Sequence, residues 1–280
     1  MNMLESNAMN THQLWLNAHA FAENVLNQGR VLQWHNPIEF AENYKKIQGI
    51  VSADRLSLPL MGFLDYWVDA HPHVLQTMTG KRRVRYAIKK LLTNEDMRQE
   101  LRELVAACCA MVPCELLIEL PSNAALIAWA HGLANPGEEV SGLSDLDIDS
   151  TSVYLADTVR QLKAAGIAGV VSTLSDADMA AGATVELYQP LMNVAANYHW
   201  QFAFRCPVTA TAERFSAGDW HCLGGDMSSQ RKDLISLPAA FWSAEASDEL
   251  GDAPWYYAEL PAFVEPEQVR EKLTQLRGLA

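Results

Sequence analysis

A rhythm constrains this chain more than any single motif. Short apolar runs without polar alternation recur between helical stretches, at intervals of about 30 to 50 residues through the middle of the sequence. ELLIEL (115–120), IAGVVSTL (167–174) and QFAFRCP (201–207) are the clearest, and each follows a stretch with helical spacing of its apolar residues. A run that is apolar at every position is a strand covered on both faces. Strands of that kind alternating with helices are the sequence form of βα units in a parallel sheet.

The apolar positions Leu14, Ala18, Phe21, Val25 and Leu26 predict a helix over 11–29, stopped by Gly29. Asn36-Pro37 then reads as an N-cap with proline in the first turn of a second helix. Candidate strands begin near residues 31, 56, 115, 168, 201, 220, 234 and 255. Eight strands in 280 residues predict a (β/α)8 TIM barrel with an extra N-terminal helix. The alternative is an open doubly wound α/β sheet, although no GxGxxG or GxxxxGK[ST] follows a strand to support a nucleotide-binding version of it. Residues 1–10, MNMLESNAMN, read as a tail or an expression scar, and 11–280 as a single barrel domain.

Charge narrows the function classes. With 21 Lys plus Arg against 34 Asp plus Glu, the formal net charge is -13, which disfavours a global attraction to nucleic acid or anionic membrane. No apolar run reaches the roughly 18 to 20 residues of a membrane span, and no basic segment leads into an apolar core at the start. The five cysteines form no CxxC pair and are odd in number, as expected of reduced thiols. These features predict a cytoplasmic protein.

In a parallel barrel the strand C-termini converge on one face, and catalytic residues collect there. The phrases IELPS and YAELPA each set a glutamate, Glu119 and Glu259, at the end of an apolar strand just ahead of a proline. Arg205, Ser172, Thr173 and Cys206 fall at equivalent points. A carboxylate there serves as a general acid or base with a pKa raised by burial, or as a structural partner of Arg205. Arg205 can grip a substrate carboxylate or phosphate, so a small anionic substrate is expected. Ser172 and Thr173 are candidate substrate contacts.

GDWHCLGGD (218–226) places His221 next to Cys222 and, with Cys206, supplies the atom types of a zinc site, but not the spacing of a standard motif. His221 is also a candidate catalytic residue. Asp65, Tyr66 and His71, in LDYWVDAHPH, are candidates for the pocket wall. KRRVRYAIKK (81–90) carries six positive charges on an acidic chain; it reads as a solvated helix face or as a dock for an acidic partner protein or a phosphorylated cofactor. Apolar surface residues including Trp and Met make a homodimer a further expectation.

The stretches LLIELPSNAALIAWAH, LYQPLMNVAANYHWQFAFRCP and YYAELPAFVEPEQVREKL resemble the barrel of the uroporphyrinogen decarboxylase and cobalamin-independent methionine synthase superfamily, and ADRLSLPLMGFLDYW is similar to the region around the decarboxylases' first strand. The resemblance implies a TIM barrel and a lyase, namely a decarboxylase, or a methyl or alkyl transferase. Two departures limit what carries over. Met61-Gly62-Phe63-Leu64 lacks the arginine pair with which the decarboxylases hold carboxylates, and His221-Cys222 lacks the residue between the ligands of the synthases' His-x-Cys zinc motif. The alternative function is therefore a catalytically divergent barrel that binds a ligand or serves as a partner subunit.

Overall fold

The computed structural model describes residues 12–140, 142–206, 221–223, 234–243 and 253–278. Its strands are β1 (Gln13–Asn17), β2 (Arg55–Pro59), β3 (Glu115–Leu120), β4 (Gly169–Thr173), β5 (Gln201–Arg205), β6 (His221–Leu223), β7 (Leu234–Ser236) and β8 (Trp255–Glu259). All paired neighbours are parallel, and they form one sheet in the order β6-β5-β4-β3-β2-β1-β8-β7. Every neighbour is consecutive in sequence except β1 and β8, which pair along five residues from Gln13↔Trp255 to Asn17↔Glu259. A doubly wound sheet reverses its strand order at a switch point. Here the order runs round a circle, which is the topology of the (β/α)8 barrel. The two ends of the ladder, β6 and β7, approach to within 8 Å between Cα atoms.

Alternation along each strand divides the core in two. Leu14, Leu16, Leu56, Leu58, Leu116, Ile118, Val170 and Phe204 join the layer between strands and helices. Trp15, Leu117, Val171, Ala203, Leu234 and Tyr257, from six different strands, meet in a separate cluster inside the barrel. Inside, Trp15 Nε1 donates to Ser57 Oγ at 3.1 Å, which satisfies the indole in an apolar setting, and the Trp15 and Tyr257 rings meet edge to face at 5.7 Å. At the N-terminal end, Arg55 pairs with Glu115 at 2.7 Å and lies over the Trp255 ring at 3.8 Å. The Asp-Arg of ADRLSLP therefore closes the floor of the barrel, and the strand that carries it is the second, not the first.

The helices are α1 (His19–Asn27), α2 (Pro37–Val51), α3 (Leu60–Ala70), α4 (Pro72–Met78), α5 (Arg85–Leu92), α6 (Glu95–Met111), α7 (Asn123–Ala134), α8 (Asp145–Arg160), α9 (Asp176–Ala180), α10 (Gln189–Asn197) and α11 (Pro266–Gly278). Caps fix several starts: the side chains of Asn36, Asn94 and Ser122 each accept a hydrogen bond from a backbone N–H three residues on. None of the described helices is long and apolar enough to cross a membrane.

The N-terminal expectation needs correction. The extra helix over 11–29 is β1 followed by α1, and the strand expected near residue 31 is an irregular segment in which Val31 is 62% exposed. Leu14, Trp15 and Leu16 are all buried, so β1 shows no alternation, and over five residues its apolar positions also fit a helical template. Pairing to β2 and β8 on either side decides for the strand.

Candidate functional site at the barrel mouth

Phase along the strands determines which residues face the mouth. Leu117, Ala203, Tyr257 and Trp15 point into the barrel, so Glu119, Arg205, Glu259 and Asn17, two residues further along β3, β5, β8 and β1, point the same way at its C-terminal end. They meet. Arg205 Nη1 lies 2.9 Å from Glu119 Oε1, and Arg205 Nε lies 2.5 Å from Glu259 Oε1. Asn17 Nδ2 donates to the other Glu119 oxygen, Oε2, at 2.7 Å.

Exposure is graded across the cluster: the side chains of Glu119, Arg205 and Glu259 are 8%, 31% and 49% exposed. Burial pushes the Glu119 carboxyl above the ordinary glutamate range, and the Glu259 charge adds to this, while Arg205 and Asn17 oppose it. For Arg205, burial alone would favour loss of its proton. The Glu119 and Glu259 carboxylates outweigh that and hold the guanidinium charged. Tyr257 is buried just below, and burial, followed by the charges of Glu119 and Glu259, pushes its phenol well above the usual tyrosine range. With both carboxylates ionised the cluster carries one net negative charge; with Glu119 protonated it is neutral and has an O–H to give. That is the equipment of an acid–base site.

Beside Asn17 stands a second polar group. His19 Nδ1 is 2.9 Å from Tyr44 Oη, and its Nε2 is 3.3 Å from Glu23 Oε1. The His19 ring sits among Trp34, Phe40 and Tyr44. Sequence reasoning missed both Asn17 and His19 because it read their segment as one helix. The signal that could have found Asn17 is QLWLN ending in a polar residue, the form shared by β5 and β8.

The other expected site residues divide. Thr173, in phase with Val171, shares the inward side at the register of Arg205. Ser172 is one residue out of phase: it lies level with Leu120 and Phe204 of the helix-facing layer, buried, with no hydrogen-bond partner for its hydroxyl among the described residues. It is not a mouth residue. Asp65, Tyr66 and His71 belong to α3 and its end, and their partners lie in the outer helices or, for Tyr66, in the irregular segment ahead of α2. Asp65 hydrogen-bonds Trp129 of α7, and burial raises its pKa. Tyr66 stands 6.2 Å from the His35 ring. His71 stacks on Trp67 at 4.3 Å, with Nε2 3.5 Å from Glu100 of α6. The structure does not bring these three to Glu119, because α3 begins at Leu60 directly after β2 and carries them away along the outside of the barrel.

His221 and Cys222 lie in β6, where His221 registers with Ala203 and Cys222 with Phe204; their side chains lie outside the described residues, as does most of 218–226. Cys206 is buried after β5. Among the described residues no three His, Cys, Asp or Glu side chains gather as a metal site.

No protein-family model matches this chain, and no curated protein sequence matches it. A crystal structure of tryptophan synthase from M. tuberculosis, in its aminoacrylate- and BRD0059-bound form, aligns over 96% of this chain and 92% of its own with a TM-score of 0.43 and 11% identity. The assignment of the fold rests on strand order and register, not on that alignment.

Proposed function

We propose that this chain is an enzyme whose barrel mouth acts on a small or medium anionic substrate, with Arg205 holding the anion and Glu119 moving a proton. The observation that carries the reading is the buried Glu119 carboxyl, raised in pKa yet hydrogen-bonded on both oxygens by Arg205 and Asn17 at the catalytic end of the barrel. Arg205 is engaged by two carboxylates, of which Glu259 is the more exposed. A substrate carboxylate therefore takes the place of Glu259 on Arg205 while Glu119 stays, protonated, beside it. The resemblance to the decarboxylase and methionine synthase superfamily favours a lyase or an alkyl transferase. In a decarboxylation the electron pair left as carbon dioxide departs is quenched by the Glu119 proton. Zinc would turn the reading toward alkyl transfer to a thiol, with Cys206, His221 and Cys222 as its candidate ligands. Cytoplasmic location and a homodimer belong to the same proposal.

The test is calorimetric titration with a panel of small di- and tricarboxylates, followed by turnover of those that bind. Arg205→Met should abolish binding. Glu259→Gln, which removes the competing carboxylate, should tighten it. Glu119→Gln should keep binding within a few-fold but lose on the order of 100-fold or more in turnover. Full turnover in Glu119→Gln, or unchanged binding in Arg205→Met, would remove the assignment. A second reading, a barrel that binds a ligand or partner subunit without chemistry, is favoured by the same pairing of Arg205 with two carboxylates. It predicts Glu119→Gln to be without effect on the partner complex.

A further inference from the structure

The basic segment 81–90 folds into the start of α5 and one wall of a recess against α8. Arg83, Arg85, Tyr86, Lys89 and Lys90 line it from one side and Tyr154 from the other, around a volume of about 260 Å³. The cations are not equivalent. Arg85 fastens the two helices together, with Nε 2.8 Å from Asp147 Oδ1 and Nη1 donating to Ser150 Oγ at 2.5 Å. Arg82, outside the recess, faces Glu138 at 3.9 Å. Arg83, Lys89 and Lys90 have no carboxylate within 4.0 Å among the described residues. Three cations without a close ion pair thus share one concavity on a chain of net charge -13, with Arg83 acting on the Asp147 carboxylate only at longer range.

The C-terminal dipole of α5, where Lys89 and Lys90 sit, accounts for part of this, but a helix end amounts to about half a charge. The rest is available to a ligand. Two tyrosine rings shape the recess, and cations already stand against them: Lys89 Nζ is 5.9 Å from the Tyr154 ring centroid and Lys81 Nζ is 6.0 Å from that of Tyr86. Two tyrosines on the lining favour a ligand with a planar aromatic group, and an arginine with two lysines suits a dianion better than a single carboxylate. The size matters too: the recess holds a small molecule, whereas a stable protein partner needs about 800 Å² on each side.

We infer that this recess binds a phosphate monoester carrying a planar ring. The inference is independent of the barrel mouth. Its test is titration of the whole protein with phenyl phosphate at low salt, against inorganic phosphate and phenol as separate probes. Phenyl phosphate should bind at least about 10-fold more tightly than either, since ring and charge each contribute on the order of 1 to 2 kcal/mol. Arg83→Glu and Lys90→Glu, both at exposed positions without an ion pair to break, should each weaken it about 10-fold. Tyr154→Ala should bring phenyl phosphate down to the affinity of inorganic phosphate. Equal binding of the two phosphates by the wild type, or binding that survives charge reversal, would overturn the inference. So would saturable binding of a hexaglutamate peptide with none of phenyl phosphate, the outcome expected of a dock for an acidic protein.

Discussion

Arg205 and Glu119 meet over the top of an intervening strand. Their 2.9 Å contact joins β5 to β3 across β4, which contributes Thr173 at the register of Arg205. The pair is therefore a tie as well as a chemical group. Removing one partner of a buried ion pair costs about 3 to 5 kcal/mol, because the other charge is left without compensation. Glu119 has an escape, since a carboxyl already pushed up in pKa can take a proton. Arg205→Met should therefore destabilise the fold more at pH 8 than at pH 5, as read from urea denaturation midpoints. Equal losses at the two values would mean that Glu119 stays ionised without its partner.

Glu119 itself gives the opposite dependence from an ordinary paired carboxylate. Its folded-state pKa is raised, so the folded protein holds that proton more tightly than the unfolded chain. Its contribution to stability is then fully present below the unfolded value, about 4.3, and is lost as pH rises through the folded value. Glu119→Gln removes the proton exchange but keeps the shape. The stability of wild type minus that of Glu119→Gln should fall steadily from pH 4.5 upward before levelling off. A difference that rises with pH would show that Arg205 and Asn17 overcome burial and depress the carboxyl.

Packing near the mouth sets a third expectation. Gly62, in α3, faces Trp34 so closely that a Cβ would come within 2.6 Å of the indole Cζ2. Trp34 cannot retreat freely, because it packs on Phe40 at 4.3 Å and Phe63 at 6.2 Å. Alanine ordinarily stabilises a helix over glycine by about 1 kcal/mol. At this position overpacking costs about 1 to 3 kcal/mol and reverses the sign. Gly62→Ala should thus lower the melting temperature and shift tryptophan emission, and a rise in melting temperature would show that the ring gives way.

The sequence announced those parts of the site whose signals are local. Glu119 and Glu259 stand between apolar strands and strand-ending prolines, and Arg205 closes an aromatic strand, so three of the four mouth residues could be placed without knowing any pairing. Ser172 and Thr173 could not be told apart that way. Both end β4, and only its register against β3 and β5 puts Thr173 inside and Ser172 among the helices. Asn17 was hidden for a related reason: a strand buried on both faces carries no period of its own. His71 and Asp65 misled because a cluster of polar groups looks alike whether it faces a pocket or ties two helices together.

Asp178 belongs to the same class of nonlocal feature, and nothing in its neighbourhood of the sequence distinguishes it from a solvated helix cap. It is fully buried. Its Oδ2 accepts from Ser175 N at 2.8 Å, Ser175 Oγ at 2.6 Å and Ser122 Oγ, and its Oδ1 accepts from Ala124 N at 3.0 Å and Tyr188 Oη at 3.2 Å. One carboxylate thereby binds the turn after β3, the start of α9 and the segment ahead of α10. An asparagine in its place turns an N–H₂ toward one set of these donors; the Ser122 and Ser175 hydroxyls, 2.7 Å apart, can turn to each other, but a backbone N–H cannot turn, and each buried donor left unpaired costs about 1 to 3 kcal/mol. Asp178→Asn should therefore destabilise the fold by on the order of 3 kcal/mol or more. Hydrogen exchange should quicken first at Ser175 and Ala124, whose amides depend on this residue. If exchange rises uniformly through all eight strands, Asp178 supports the whole barrel and not the junction of its β3 and β4 units.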